Sequence, residues 1–141
     1  MKNQRIYLCL AHMSGNEMKY IQEAFDTNWV VPLGSNVNGF EDDLKNFVGG
    51  YKEVVALCSG TSAVHLALVD AGVSQGDEVI CQSFTFCASS HPVTYLGATP
   101  VFVDSEKESW NMDPDLLEEA IKDRINKTGK KPKAIILVYL Y

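Results

Sequence analysis

The 141-residue sequence predicts an α/β domain with a mostly parallel, doubly wound sheet, and three observations carry that reading. From residue 53 onwards, apolar β-branched runs alternate with segments of helical spacing, in the order strand, helix, strand, helix, strand, helix, strand. Turn and cap residues such as Gly72, Gly76-Asp77 and Asp113-Pro114 punctuate those segments. A composition of 46% hydrophobic and 21% charged residues is ordinary for a globular core and argues against disorder. The length corresponds to one domain or a piece of one.

Each element has its own signal. Ser14-Gly15-Asn16-Glu17 is a capping-box pattern that opens a helix to about Asp26, with Met18, Ile21 and Phe25 at helical spacing. Asn28 to Asn38, with Pro32 and Gly34, reads as a loop. A second helix then places Phe40, Leu44, Phe47 and Val48 on one face and ends at Gly49-Gly50. Glu53 to Cys58 reads as a buried strand. A helix follows over about 61–72, then a strand at 78–81 and a helix at about 85–96. Pro92 predicts a kink or a late start in that helix. A strand at 99–103 precedes a helix that Asp113 caps, Pro114 begins and Ile125 roughly ends. Ala134 to Tyr141 is the last strand. The expected division is a helical segment and loop over 1–50 and an α/β domain over 51–141. That last strand stops where a ligand-bearing loop should leave the sheet, so the expectation is a truncated chain.

The totals exclude several classes. A net charge of −6 leaves no basic stripe for nucleic acid, and Lys127 to Lys133 reads as a solvated loop. Cysteines 9, 58, 81 and 87 form no Cys-x-x-Cys pair, and His12, His65 and His91 are scattered, so no metal site is expected. Cys58 and Cys81 are expected as reduced core residues and the compartment as cytoplasmic. No apolar run reaches membrane-spanning length.

The feature with most chemistry is the corner Ser59-Gly60-Thr61-Ser62 between a strand and a helix. Free N–H groups at a helix N-terminus favour a phosphate; Gly60 permits close approach, and Thr61 and Ser62 add hydroxyls. A simple tight turn is the alternative. Phe84 and Phe86 stand at the end of the next strand, where an aromatic could cover a flat ring or pack beneath a helix.

As a set, Trp29 with Gly34, Phe40 and Glu41, then Ser59 to Ala63, Gly76 to Ile80, Ser83 to Phe86 and Gly97 to Asp104 resemble the N-terminal part of the DegT/DnrJ/EryC1/StrS family. These are pyridoxal-phosphate-dependent sugar aminotransferases of fold type I, and Asn111-Met112-Asp113 is also similar to the family pattern. The resemblance implies a three-layer large domain, here partial over 51–141, and a pyridoxal 5′-phosphate cofactor. Gly60, Thr61 and Ser62 would hold its phosphate and Phe86 would stack on its ring. It also implies amino transfer, with glutamate as donor, to a nucleotide-linked keto sugar in polysaccharide or glycan synthesis, by a homodimer. The loop from Trp29 to Asn38 would contribute to interface or substrate contact, or serve as a connector with a buried Trp. The family's Schiff-base lysine lies in a later Ser-x-x-x-Lys segment and its pyridinium partner beyond Tyr141. This chain therefore carries no catalytic residue by that pattern, and alone would be inactive. A sugar dehydratase of the same family and an inactive gene product are the alternatives. A nicotinamide enzyme is disfavoured, since no Gly-x-Gly-x-x-Gly follows a strand.

Overall fold

The computed structural model describes Arg5, Tyr7, Cys9 and residues 11–139, which form two compact units, Met1–Ala56 and Leu57–Tyr141. In the first, α1 (Glu17–Asp26) opens on half of the expected capping box. The Glu17 carboxylate accepts from the Ser14 and Gly15 N–H groups at 2.6 and 2.9 Å. The Ser14 hydroxyl accepts from Asn16 N–H at 3.2 Å instead of from Glu17, so Asn16 is the cap residue. Helix α2 (Ser35–Phe47) begins earlier than the sequence predicts and carries Gly39 within it. Its first turn closes on Gly34, whose carbonyl accepts from Asn38 N–H at 3.0 Å. Gly34 has φ +152°, and a Cβ there would lie 1.9 Å from the Trp29 indole nitrogen. Only glycine fits. Trp29 is 54% exposed, so the connector reading with a buried Trp does not hold. The chain after α2 is tied back to it by Lys45 on Glu53 at 2.8 Å and by Ala56 N–H on the Glu41 carboxylate at 2.7 Å.

The second unit is built on a three-stranded parallel sheet of β1 (Glu78–Gln82), β2 (Thr99–Val103) and β3 (Ala134–Ile136), in the order β2-β1-β3. Ile80 stands opposite Val101 on one side and Ile135 on the other. Successive side chains of a strand point to opposite faces, and β1 uses both. Val79 and Cys81 join Leu68 of α3 (Gly60–Asp70) and Val93 of α4 (His91–Tyr95) in one cluster. Ile80 joins Val103 and Met112, against Leu117, Ala120 and Ile121 of α5 (Pro114–Thr128), in the other. Helices thus cover β1 on both faces, which is the three-layer arrangement expected and explains the uninterrupted apolar run. The Asp113 carboxylate caps α5 by accepting from Asp115 and Leu116 N–H at 2.8 and 3.1 Å. Arg124 of α5 grips Glu78 of β1 with two bonds of 2.9 and 2.6 Å, which fixes the helix along the strand.

Three expectations need correction. Residues 53–58 join no ladder, because a strand exists only by pairing and no described strand lies alongside them. The predicted helix at 85–96 is a 3₁₀ turn over Cys87–Ser89 followed by α4, with Pro92 in its first turn; the late start is the outcome observed. The last strand is shorter than its apolar run: β3 pairs over three residues, and Leu140 and Tyr141 lie outside the described residues.

Candidate functional site

The corner after residue 58 is a helix N-terminus, as its sequence requires. Ser59 is the cap, extended at φ −164° and ψ 159°, and its hydroxyl accepts from Ser62 N–H at 3.2 Å. Its carbonyl accepts from Ala63 N–H at 3.1 Å, which closes the first turn of α3. Ser62 Oγ is also 3.0 Å from Ser59 Oγ and 3.3 Å from Cys58 Sγ. The Ser62 hydroxyl is therefore committed within the turn. The N–H groups of Gly60 and Thr61, by contrast, donate to no other group among the described residues, and nothing lies within 4 Å of where a Gly60 Cβ would be. Two unpartnered donors thus stand at the positive end of an 11-residue helix, with Gly60 exposed and Thr61 half-buried.

Cys58 is exposed, which corrects its expected place in the core; it follows an unpaired segment and not a buried strand. The Ser62 hydroxyl first, and the Ser59 hydroxyl with it, draw its thiol below the ordinary cysteine value. Cys81 in β1 is buried as expected, and burial raises its thiol to about 11. At pH 8, iodoacetamide is expected to modify Cys58 readily and Cys81 about a hundredfold more slowly, read by peptide mass spectrometry. Equal rates would mean that β1 is not the covered centre of the sheet.

The second half of the predicted site follows β1. Phe84 leaves solvent on one side by packing on Trp110, with ring centroids 5.6 Å apart. Phe86 does not pack: its side chain is 78% exposed, with a ring face free. The residues after it form the 3₁₀ turn, which packs against α3. Gly60, Thr61 and Ser62 at the start of that helix and Phe86 at the start of that turn therefore belong to adjoining elements of one unit. The donors, the open approach at Gly60 and the free aromatic face suit a ligand with an anionic group and a flat ring. Cys87 is exposed beside Phe86, and His65 is held edge-on by Tyr95 at 5.7 Å, the packed role expected. Among the described residues no cluster of His, Cys, Asp and Glu could hold a metal ion, and no helix is long and apolar enough to cross a membrane.

Sequence reasoning missed Gln82 and Trp110. Gln82 is fully buried at the carboxyl end of β1, and Trp110 takes a left-handed φ of +62° in the turn before α5. A lone polar residue closing an apolar strand is the signal that could have found the first. Nothing in the residue type announces the second, since bulky side chains rarely adopt that conformation.

The parallel three-layer α/β unit defines the class: the chain has the fold of the pyridoxal-phosphate transferases. NtdA of Bacillus subtilis, solved with bound pyridoxamine phosphate, superposes at a TM-score of 0.73 and 29% identity, over 88% of this chain and 26% of that one. The particular family follows from the profile match: the chain belongs to the DegT/DnrJ/EryC1/StrS aminotransferase family, over residues 11–141. It is similar to EpsN of Bacillus subtilis, with 50% identity over 99% of this chain and 35% of that protein. It is also similar to the GDP-perosamine synthase of Caulobacter vibrioides, with 41% identity over 97% of this chain and 35% of that protein. The chain thus spans about a third of the length of the curated relatives it matches.

Proposed function

We propose that this chain supplies the phosphate- and ring-binding part of a sugar aminotransferase, with residues 51–141 as the partial cofactor domain and 1–50 as an N-terminal helical segment. Pyridoxal 5′-phosphate is the cofactor, and it supplies the electron sink through which an amino group changes carriers. The N–H groups of Gly60 and Thr61 and the Thr61 hydroxyl hold its phosphate. Ser62 contributes by fixing the turn, because its hydroxyl is already shared with Ser59 and Cys58. Phe86 covers one face of the ring. The amino group passes from glutamate to the keto group of a nucleotide-linked sugar, in a cytoplasmic homodimer. No lysine of this chain is assigned the covalent capture of the cofactor, and alone it is inactive. The observation that supports this reading best is the pair of unpartnered donors at a corner where Gly60 leaves the approach open. The likeness to a GDP-perosamine synthase supports the substrate class.

The test joins this chain to the remaining length of an EpsN-like relative and supplies cofactor, glutamate and a nucleotide-linked keto sugar. The expected product is an amino sugar that requires glutamate, read by mass. Loss of water from the sugar without nitrogen gain would instead identify a dehydratase, and a folded, cofactor-loaded protein that does neither would refute the proposal. On the 141-residue chain itself, Phe86→Ala is expected to weaken pyridoxamine 5′-phosphate about tenfold, the scale of an aromatic stacking contact. The melting temperature should stay within about a degree, because an exposed ring adds little to the core.

A further inference from the structure

Gln82 is the fully buried polar side chain at the end of β1, and its amide is used unevenly. Nε2 donates to the carbonyl of Phe84 at 3.2 Å and to the carbonyl of Trp110 at 3.0 Å. Oε1 is buried with no partner among the described residues. The orientation is forced: with the amide flipped, an oxygen would face two carbonyl oxygens. If packing alone mattered here, Met or Leu would fill the space without leaving an oxygen unpaired, which costs more than most hydrogen bonds return. The side chain is therefore justified by its two donors, and those donors join segments 28 residues apart.

We infer that Gln82 is the positioning residue of the ring-binding segment, locking residues 83–86 to the Trp110 turn so that an unpacked Phe86 is presented in one place. The inference rests on the proposed role of Phe86. That ring is 78% exposed, so neighbouring side chains do not hold it, and its position is set by its backbone. The backbone is pinned on both sides. Before Phe86 stands the Gln82 bond to Phe84; Thr85 Oγ1, just before it, lies 2.9 Å from Ser89 Oγ beyond it, and Ser89 N–H donates to the Phe86 carbonyl at 3.0 Å. The far anchor is also stiff. Trp110 packs on Phe84, and its turn is closed by Glu106 N–H on the Asn111 carbonyl at 2.9 Å and by the antiparallel bridge between Ser105 and Met112. One amide thus couples the ring segment to the loop that leads into α5.

Amide exchange on the labelled full chain tests the clamp without reference to the cofactor. The Gln82 side-chain NH₂ is expected to exchange at least about tenfold more slowly than that of exposed Gln75, because it is buried and bonded. In Gln82→Met, which keeps the length and removes the donors, the Val79 and Ile80 amides should keep their protection. The Ser89 and Glu106 amides should lose about tenfold, and pyridoxamine 5′-phosphate should bind about tenfold more weakly, the factor that loss of the two modest hydrogen bonds produces. Gln82→Asn, which keeps the amide on a shorter arm, should fall between wild type and Gln82→Met in both readouts. Exchange of the wild-type Gln82 NH₂ as fast as that of Gln75 would overturn the inference. So would a Gln82→Met chain with unchanged protection at Ser89 and Glu106. If Gln82→Met does not fold, the wild-type exchange decides. If wild type binds no pyridoxamine phosphate, the cofactor reading fails while the exchange data still decide the clamp.

Discussion

Gly60→Asp is expected to weaken phosphate binding on the order of a hundredfold while leaving α3 at least as stable as before. The position accepts a side chain, since nothing lies within 4 Å of an added Cβ and Gly60 is not among the glycines with positive φ. A carboxylate in the first turn of a helix is favourable, by a few tenths of a kcal/mol, because it faces the positive end of the dipole. The same carboxylate occupies the space in front of the Gly60 and Thr61 N–H groups and repels a ligand that carries a phosphate. With an intermediate effective dielectric, repulsion at contact distance amounts to a few kcal/mol, or a loss of affinity on the order of a hundredfold. The two signs are opposite. A simple folding defect would lower stability and binding together, whereas this substitution should raise or keep the melting temperature and lower affinity alone. Calorimetric titration with pyridoxamine 5′-phosphate beside a thermal melt checks both; unchanged affinity would place the anion elsewhere.

Ile80→Ala is expected to cost about 3 kcal/mol, the typical penalty for emptying a fully buried aliphatic site. Ile80 has no exposed surface and stands at the centre of β1, paired on both sides and packed towards α5 with Val103 and Met112. Small domains have about 5–15 kcal/mol in total, so this one change should remove a large part of the stability and shift a urea midpoint accordingly. Phe102→Ala, next to it in the paired register but 56% exposed, should cost far less. If the two variants melted alike, the core would not lie where β1 is sandwiched.

What was legible in the sequence divides along physical lines. The elements whose residues cover one another within the chain were readable from pattern: β1 and β2 within a residue, α5 from its Asp-Pro entry, and α3 from Ser59. Each depends on contacts that the chain itself supplies. The failures share the opposite property. Residues 53–58 have the composition of a buried strand, but pairing is not a property of one segment. Cys58 was misplaced with that strand and lies exposed at the cap of α3. Helix α2 began early because its start depends on Gly34 folding beneath the Trp29 ring, a contact five residues apart that no propensity records. At the candidate site, the Ser-Gly-Thr-Ser corner was visible as a helix start, whereas the commitment of the Ser62 hydroxyl to its neighbours was not. The amide of Gln82 was likewise hidden, because its partners are carbonyls, and carbonyls are common to every residue.

The most direct measurement follows the backbone amides and aromatic ring protons of the labelled chain by nuclear magnetic resonance as pyridoxamine 5′-phosphate is added. That compound carries no aldehyde, so surface lysines cannot capture it. The expected result is saturable shifts of the Gly60 and Thr61 amides together with cross-peaks between the ligand's ring protons and Phe86, with phosphate alone moving only the amides. Saturable binding that leaves Gly60 and Thr61 unmoved, or that brings the ligand nowhere near Phe86, would contradict the account.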